Sequence, residues 1–535
     1  MLSFVVGNCD THISNIERSS VRFINELNDY LSFKEQGFQF TWRYKKTPWN
    51  GNNYLLNGEW KADGSYRPNI HNLKFRTGLL PIVLNFCKEK HEEYIIVDNR
   101  LFPEFNTPIK WEGTLRDYQI EAVDQFFKTK RGILSAATGS GKSLMITNIV
   151  ARANLPSVIL CGTIDLAKQM KSHFEKETPS EKVGFVGDGT CDIRHITIST
   201  WQSAAKSINK AGKVYFYDNR VKEKFNASDA PRIKKMLADA QFIIIDESHC
   251  ARANMVQSIL KYSNAPYILG TSATPTRDEG DDLLIRAELG DIFYNIDASY
   301  LIKKGWLVRP HIDYYYVHND PLQEDFSEQP NKEFHAIYRN YIVENEERNN
   351  IICTKAREMI SEGRKVLILV DYLDTHGKIL EKMLKDISAE FLHARHSSKK
   401  RDSLITAFQE GKIDCMIATS LADEGLDLPI LSGEILAGGK RGKTKVKQRI
   451  GRSLRPYDGK SDARIIDFLD DGKFVLNHSI ERIASLKAEP LFKIRAFNIP
   501  KHRQSDIIKR VERKVSKNEQ RDRYRLKTSV IRNSK

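Results

Sequence analysis

The stretch Ala137-Thr138-Gly139-Ser140-Gly141-Lys142-Ser143 decides how the rest of the chain is interpreted. It follows a short apolar run at 132–135 and precedes a longer apolar run at 144–150 that can begin a helix. A strand, a glycine-rich loop and a helix in this order form the setting of a phosphate-binding loop. The glycines let backbone N–H groups point at phosphates, and the helix N-terminus adds partial positive charge. The pattern predicts that Lys142 reaches the β- and γ-phosphates of a nucleoside triphosphate and that Ser143 binds Mg²⁺.

The loop departs from the general pattern at Ala136, where a glycine is usual, so an ordinary glycine-rich turn is the alternative. A second stretch, Phe242-Ile243-Ile244-Ile245-Asp246-Glu247-Ser248-His249, favours the phosphate loop. Its four apolar residues suit a central strand that is buried on both faces. Asp246 is then placed to hold Mg²⁺ through water, and Glu247 to orient and deprotonate an attacking water. An Asp-Glu pair by itself is usually a solvated turn, but its place after this strand favours catalysis.

The chain beyond residue 108 alternates between apolar strand-like runs and helical segments, which indicates parallel sheets covered on both faces. The alternation occurs in two series, and only the first contains a phosphate loop. The sequence therefore predicts an α/β protein with two parallel-sheet domains in tandem. The runs lie at 132–135, 157–161, 195–199, 242–245 and 267–270 in the first series, and at 365–370, 390–393, 415–418, 434–437 and 463–468 in the second.

Residues 1–108 show a mixed pattern, predicting a small α+β accessory domain that is a candidate for DNA binding. We expect a helix over 13–31, a strand over 38–44 and another over 94–97. Trp49 either packs in a core, which we favour, or stacks on a base. The expected domains are 1–108 (accessory), 109–300 (ATP-binding), 301–490 (second parallel sheet) and 491–535 (basic tail).

The composition is that of a soluble globular protein, with 40% hydrophobic and 29% charged residues among 535. No run of 18 apolar residues occurs, so we expect no membrane span. The seven cysteines are dispersed without CxxC pairs, which indicates reduced thiols. The N-terminus lacks the features of a signal peptide. Together these features predict a cytoplasmic protein, in the host cell if the chain is encoded by a phage.

The net charge of +15 favours a polyanionic partner. Residues 501–535 hold 13 Lys/Arg against 4 Asp/Glu, and residues 205–240 hold 9 against 4. These two segments are candidates for nucleic-acid contact. A solvated or disordered tail and a solvated surface insertion are the alternatives.

Further polar residues follow the predicted strands in a fixed order. Gln119, upstream of the loop, is a candidate to hydrogen-bond adenine, and Thr271-Ser272-Ala273-Thr274 follows the strand at 267–270. The run Gln448-Arg449-Ile450-Gly451-Arg452-Ser453-Leu454-Arg455 places three arginines near one helical face. Arginine can stabilise the charge of a transferring γ-phosphate, whereas a solvated basic face is the alternative.

This order of motifs resembles the superfamily-2 helicases and translocases of the DExH type. Their phosphate loop, Asp-Glu-x-His, Ser-Ala-Thr and Gln-Arg-x-Gly-Arg motifs all have counterparts here, across about residues 109–475. The version of the loop found in helicases carries alanine where Ala136 stands. The chain is most similar to the UvsW-like phage recombination helicases, whose N-terminal domain carries Trp-Asp-Gly and Gly-Leu-Leu segments. Trp49-Asn50-Gly51 and Gly78-Leu79-Leu80 stand in those places, and Asn50 replaces the acidic residue.

The resemblance implies two RecA-like domains that use ATP and Mg²⁺. It assigns catalysis to Lys142, Asp246, Glu247, Gln448, Arg452 and Arg455. It assigns ATP binding to Gln119, Thr138, Gly139, Ser140, Gly141, Lys142, Ser143, Gly425 and Asp427, with Ser143 and Asp246 on the metal. It assigns coupling to His249, Thr271, Ser272 and Ala273. It assigns nucleic-acid contact to Thr163, Gln169, Thr200, Trp201, Gln202, Ser203, His393 and Arg395, although Ser/Thr residues after strands are also frequent helix N-caps.

The resemblance further implies an ATP-dependent DNA helicase or translocase that acts on branched DNA in recombination, repair and replication. Branch migration, fork regression and dissociation of D-loops and R-loops are the expected reactions. Single-stranded and branched DNA are the expected partners, and recombination or single-strand-binding proteins are candidates. An RNA helicase and a motor subunit that serves a separate nuclease remain the alternatives.

Overall fold

The computed structural model describes residues 1–35, 38–47, 49–61, 63–208, 224–248, 253–273, 282–322, 330–387, 389–393, 395–419 and 428–527. The chain folds into two compact units. One is built mainly of Met1–Ala136 with Gly141–Asn295, and the other mainly of Ile296–Tyr524. Among the described residues, no helix has the length and apolarity needed to span a bilayer.

The N-terminal part of the first unit is built on a four-stranded sheet with the order β7-β2-β1-β8. Apolar side chains from its inner face pack with one face of α1 and of α3, forming a core that includes Phe4, Ile24 and Phe86. Short 3₁₀ turns cover Arg18–Ser20, Phe38–Phe40, Ile70–Asn72 and Thr77–Leu79. The strands are β1 (Leu2–Val6), β2 (Asp10–Ser14), β3 (Ser32–Lys34), β4 (Asn52–Tyr54), β5 (Gly58–Trp60), β6 (Tyr66–Pro68), β7 (Leu73–Arg76) and β8 (Tyr94–Asp98), and the helices are α1 (Val21–Tyr30), α2 (Trp42–Lys46) and α3 (Leu80–Glu89).

Two local expectations in this region were wrong. The segment 38–44 is a 3₁₀ turn followed by the start of α2, not a strand, because the hydroxyl of Thr41 caps that helix by accepting from Tyr44 N–H. The segment 13–31 is not one helix, since β2 extends to Ser14 and α1 begins only at Val21. The strand expected at 94–97 is confirmed as β8. Trp49 is 3% exposed, so it packs in a core rather than offering a face for stacking.

The rest of the first unit contains an eight-stranded sheet with the order β12-β11-β13-β10-β14-β15-β9-β16. Its central strands are parallel and fully buried, as their unbroken aliphatic runs predict. Each of the five runs of the first series overlaps a strand of this sheet, and the run at 195–199 begins one residue before its strand. The strands are β9 (Arg131–Ala136), β10 (Ser157–Cys161), β11 (Gly184–Gly187), β12 (Thr190–Asp192), β13 (Ile196–Thr200), β14 (Phe242–Ile245), β15 (Tyr267–Ser272) and β16 (Ile292–Ile296), and the helices are α4 (Asp117–Thr129), α5 (Lys142–Ala153), α6 (Ile164–Glu177), α7 (Trp201–Ile208), α8 (Ala230–Asp239), α9 (Ala253–Ser263) and α10 (Asp282–Leu289).

The second unit contains a seven-stranded sheet with the order β19-β20-β18-β21-β22-β17-β23, and its pairings are parallel. Each of the five runs of the second series overlaps one of its strands, and three of the runs extend one residue past the strand's end. The strands are β17 (Arg309–His318), β18 (Lys365–Leu369), β19 (Ala389–Leu392), β20 (Cys415–Ala418), β21 (Leu431–Leu436), β22 (Asp462–Asp471) and β23 (Lys493–Phe497), and the helices are α11 (Ala298–Lys303), α12 (Pro330–Tyr338), α13 (Glu346–Ser361), α14 (Lys378–Met383), α15 (Ser398–Gln409), α16 (Lys443–Ser453), α17 (Val475–Leu486) and α18 (Lys501–Lys527).

The chain is therefore an α/β protein with two tandem parallel-sheet domains, as the sequence predicted. The domain boundaries remain predictions. The segment expected to be a basic tail begins with β23, which pairs with β17 in the second sheet, and continues as the long helix α18. The centre of the basic segment 205–240, residues 209–223, lies outside the described residues, and α8 occupies its end.

Candidate active site

The phosphate loop connects β9 to α5 at the carboxyl edge of the eight-stranded sheet. Gly139 and Gly141 have φ values of +84° and +80°, a left-handed conformation that glycine adopts without strain. Gly141 is the N-cap of α5, so Lys142 and Ser143 occupy the first turn of that helix. The N-terminal N–H groups and the helix dipole thus lie where the sequence predicts a phosphate site. Thr138 and Ser140 lie in the same loop, and Ser140 is fully buried.

Gln119 lies beside this loop. A Cβ atom at Gly141 would come within 2.3 Å of Gln119 Nε2, so a side chain at position 141 would displace this amide. The side chain is 2% exposed, and its Oε1 accepts from the backbone N–H of Arg116 at 2.8 Å. This bond, which is one half of a capping box, holds the Gln119 side chain at the first turn of α4. Sequence reasoning missed the part played by Arg116, although the three-residue spacing to a glutamine was visible at the predicted helix start.

Asp246 lies at the carboxyl end of β14, next to β15 in the sheet. The hydroxyl of Thr271 donates to Asp246 Oδ1 at 2.6 Å, and the backbone N–H of Glu247 donates to the same oxygen at 3.0 Å. Burial and the neighbouring Glu247 carboxylate raise the pKa of Asp246, whereas Lys142 and the Thr271 hydroxyl act against that rise. The structure therefore gives Thr271 a direct part in holding the predicted metal ligand.

Glu247 lies against the phosphate loop. Its Oε1 is 3.0 Å from Lys142 Nζ, and Lys142 also donates to the carbonyl of Ala136 at 3.3 Å. Glu247 has a φ of +47°, a conformation that costs energy in a residue with a side chain and that is frequent at functional sites. The phosphate loop and the Asp-Glu-Ser-His motif lie about 100 residues apart in sequence. They thus bring the ammonium of Lys142 and the carboxylate of Glu247 together at the predicted phosphate position.

The side-chain oxygens at the carboxyl edge of the eight-stranded sheet suit Mg²⁺ bound to a nucleotide. Asp246 supplies a carboxylate and Ser143 a hydroxyl, and both are hard oxygen donors of the type that Mg²⁺ prefers. Such sites use one or two protein oxygens and take the remaining ligands from phosphates and water. The expectation that Ser143 and Asp246 hold the metal therefore remains a proposal that the local chemistry supports.

The predicted coupling motif continues β15. Ser248 N–H donates to the carbonyl of Thr271 at 2.8 Å, which ties the segment after Asp246 to this strand. Ser272 is fully buried, and Ala273 directly follows the strand. The predicted contributions of His249, Gly425 and Asp427 fall outside the described residues.

The residues predicted to contact nucleic acid in the first unit lie at the carboxyl ends of β10 and β13. The hydroxyls of Thr163 and Thr200 accept from Leu166 N–H and Ser203 N–H, both at 3.3 Å, so both residues cap helices. Gln202 Nε2 donates to the carbonyl of Gly162 at 2.9 Å. Trp201 is 7% exposed and Ser203 is buried, whereas Gln169 is half-buried on α6. The structure thus shows local structural contacts for several of these side chains, and their nucleic-acid role stays a prediction.

The predicted arginine helix in the second unit is α16. It contains Gln448, Arg449 and Arg452, and Arg455 follows in the turn after it. The carbonyl of Arg455 accepts from the ammonium of Lys460 at 2.8 Å. Burial lowers the pKa of Lys460 to about 8.

Two further residues of the second unit were predicted to contact nucleic acid. Arg395 forms a bidentate pair with Asp374 at 2.8 Å on the surface. His393 packs against the rings of Phe391 and His396. Their predicted role in nucleic-acid binding is not tested by these contacts.

Two family patterns match the sequence. The pattern described as "Type III restriction enzyme, res subunit" covers residues 112–277, and "Helicase conserved C-terminal domain" covers residues 347–457. The chain is 21% identical over 503 residues to "ATP-dependent DNA helicase uvsW" of Enterobacteria phage T4, covering 86% of this chain and 92% of that protein. The chain belongs to the superfamily-2 helicases and is similar to UvsW.

This helicase is similar to other proteins that act on DNA. It is 26% identical over 416 residues to "DNA 3'-5' translocase XPB2" of Sulfurisphaera tokodaii, covering 72% of this chain and 87% of the relative. Among solved structures, the DNA-bound restriction-modification enzyme LlaBIII aligns with 79% of this chain and 33% of its own, at a TM-score of 0.53 and 14% identity, which shows the fold alone. The helicase is therefore an ATP-hydrolysing enzyme with two RecA-like domains.

Proposed function

We propose that this helicase is an ATP-driven DNA translocase that remodels branched DNA by branch migration, fork regression and dissociation of D-loops and R-loops. The similarity to the phage T4 protein carries the proposal, because it covers 86% of this chain and 92% of that protein. The net charge of +15 supports a polyanionic partner. Single-stranded and branched DNA are the proposed substrates, and recombination or single-strand-binding proteins are proposed as partners.

The proposed ATP site uses side chains that the first unit places together. Lys142 binds the β- and γ-phosphates, and Ser143 with Asp246 holds Mg²⁺, which neutralises phosphate charge. Glu247 takes the proton of the attacking water, because its carboxylate lies at the carboxyl edge of the eight-stranded sheet, against the phosphate loop. Gln119 reads the adenine edge from its fixed position next to Gly141.

Residues of the second unit are proposed to complete hydrolysis on the strength of the sequence resemblance. Arg452 and Arg455 stabilise charge on the transferring phosphate, and Gln448 couples to the Asp-Glu-Ser-His motif. Arginines in this role change turnover by about 10³-fold or more in other phosphate-transferring enzymes. Gly425 and Asp427 are proposed nucleotide contacts by the same resemblance.

The test is an ATPase and strand-separation assay on forks, four-way junctions, D-loops, RNA–DNA hybrids and single-stranded RNA. We expect branched DNA to stimulate turnover most and to be unwound. Lys142→Ala should lose both ATPase and unwinding, and Arg452→Ala should lose turnover while retaining DNA binding. Stimulation by RNA alone would reject the DNA assignment, and wild-type turnover in Arg452→Ala would reject the proposed arginine role.

A motor subunit that serves a separate nuclease is the second candidate. The match of residues 112–277 to the restriction-enzyme pattern favours it. The same assay separates the two, because such a motor would translocate and hydrolyse ATP without separating strands by itself.

A further inference from the structure

A cleft of about 510 Å³ lies in the second unit between α17 and α18. Five cationic side chains and one carboxylate line it, together with Phe474, Asn477, His478 and Ile480. The charged residues are Arg441, Arg510, Arg513, Lys514, Lys517 and Glu481. We call it the α17–α18 cleft. None of its residues belongs to the motifs that the ATPase uses.

Part of this charge is balanced within the cleft and part is not. Glu481 pairs with Lys514 at 2.6 Å and also pairs with Arg441. Arg510 donates to Asn477 Oδ1 at 2.6 Å. Arg513 and Lys517 are exposed, and both line the cleft from the same face of α18. Asp506, outside the cleft lining, also lies 3.7 Å from Arg510. Two carboxylates therefore face five cations, which leaves a net positive surface for an anionic ligand.

Phe474 lies at the edge of the cleft in an unusual conformation. Its φ is +67°, which is strained for a bulky side chain and is found mainly where function requires it. The ring is 37% exposed although it contacts Phe334 edge-on, with the ring centres 6.1 Å apart. Lys473 Nζ lies over the ring, 5.3 Å from its centre. Folding thus holds the ring partly in solvent, with a cation over one face, at a cost in backbone strain.

An aromatic ring next to a row of cations is the arrangement that binds single-stranded nucleic acid without reading its sequence. The ring stacks on a base, and the cations pair with the phosphates on either side. A free nucleotide would satisfy the ring and one phosphate, but Arg513 and Lys517 extend along one turn of α18, which suits successive phosphates of a strand.

We propose that the α17–α18 cleft binds a single DNA strand, with a base stacked on Phe474 and the phosphates on Arg513, Lys517 and Arg510. The proposal rests on the DNA-motor function proposed above. It gives the second unit a contact with the strand on α17, α18 and the turn before α17, none of which carries a residue that the family resemblance assigns to nucleic-acid contact.

The direct test replaces Phe474 with the photo-crosslinking analogue p-benzoylphenylalanine in the full-length chain. Irradiation with labelled oligothymidine should link the strand to position 474, and labelled ATP should not link. A cross-link to ATP alone would overturn the proposal in favour of a nucleotide site. Absence of any cross-link, while the same protein binds the oligonucleotide, would overturn it as well.

Affinity measurements by fluorescence anisotropy supply the second test. Phe474→Gly should weaken oligothymidine binding about fivefold or more, whereas Phe474→Trp should retain it. Glycine adopts the left-handed conformation without strain, so weaker binding would not reflect misfolding. Arg513→Ala with Lys517→Ala should lower the slope of log affinity against log salt by about 0.7 for each phosphate that these side chains neutralise in the wild type.

Lys501→Ala is the matched control, because Lys501 is exposed at the start of the same helix and lies outside the cleft. It should leave both affinity and slope near the wild-type values. ATPase activity without DNA should be unchanged in all variants. Unaltered binding in the Phe474 and Arg513/Lys517 variants would reject the cleft, whereas a wild type that binds and cross-links DNA without DNA-stimulated ATPase would reject only the motor function.

Discussion

The hydroxyl of Thr271 stabilises the charged form of Asp246. It donates a 2.6 Å hydrogen bond to a carboxylate whose pKa burial and Glu247 raise above its usual value. Removal of this hydrogen bond disfavours the charged form, so the pKa of Asp246 rises further. Because the proposed metal ligand is the charged form, we expect ATPase activity to be lost as the pH falls through this pKa.

Thr271→Val is therefore expected to shift the acidic limb of the ATPase pH–rate profile to higher pH. The measurement is turnover at saturating ATP from acidic to neutral pH in wild type and variant. Thr271→Ser restores the hydroxyl and should restore the profile. An unchanged acidic limb in Thr271→Val, with lower turnover at every pH, would assign Thr271 a purely structural role.

The motif residues of the first unit could be placed from sequence because their backbone setting is local. The phosphate loop after β9 and the carboxylates after β14 could be located from the length of each apolar strand and the residue types that follow it. The contact of Lys142 with Glu247 then follows from parallel strands that end at one edge. The strained Phe474 could not be foreseen, because a left-handed φ at phenylalanine depends on the packing of α12, α17 and α18.

At the scale of elements, the sequence predicted buried parallel strands well and short exposed elements poorly. Runs such as Phe242–Ile245 are aliphatic because both faces are covered, and this pattern is unambiguous. The strand Arg309–His318 was missed because tyrosines, a histidine and the buried Asp313 interrupt its apolar character. Asp313 is tolerated there because Arg495 on β23 pairs with it at 2.8 Å. Such pairing involves residues far apart in sequence, so no local pattern reveals it.

The turn Thr77–Leu79 has a role that its sequence did not indicate. Gly78 packs on the end of α10, where a Cβ atom would lie 2.3 Å from the carbonyl oxygen of Arg286 and 2.5 Å from that of Ala287. These are backbone atoms that cannot move aside cheaply. The Gly-Leu-Leu segment thus packs the N-terminal part against α10 within one compact unit.

Gly78→Ala is expected to destabilise the first unit by about 2 kcal/mol or more, because the added methyl overpacks this contact. Urea unfolding followed by circular dichroism measures the change in the free energy of unfolding. Leu80→Ala, at a half-buried position at the start of α3, separates the effect of this contact from general loss of packing. A Gly78→Ala protein as stable as wild type would show that the contact is loose.

At the scale of the whole molecule, the two parallel sheets could be predicted, whereas the attachment of the N-terminal part could not. Arg76 lies on β7 of the N-terminal sheet, and its guanidinium forms a 2.6 Å pair with Glu288 on α10 and a 2.8 Å pair with Asp10. Arg131 of β9 donates to the carbonyl of Glu288 at 2.5 Å. The contacts with Glu288 span more than 150 residues of sequence, so neither composition nor periodicity reveals them. These contacts join the N-terminal sheet to the eight-stranded sheet within one compact unit.

Arg76→Ala is expected to weaken this attachment by about 3–5 kcal/mol, because it leaves the buried carboxylate of Glu288 without its main cation. Hydrogen exchange measures the effect strand by strand. In the wild type, amides of β1 and β9 should open together with similar free energies, whereas in Arg76→Ala the amides of β1 should open first.

Arg22→Ala removes the surface pair with Glu26 and should leave the exchange pattern of the wild type. Joint replacement of Arg76 and Glu288 by methionine should recover part of the loss, since apolar side chains of similar volume replace a buried pair at little cost. If β1 and β9 opened independently in the wild type, the N-terminal sheet would be a separate folding unit despite these ion pairs.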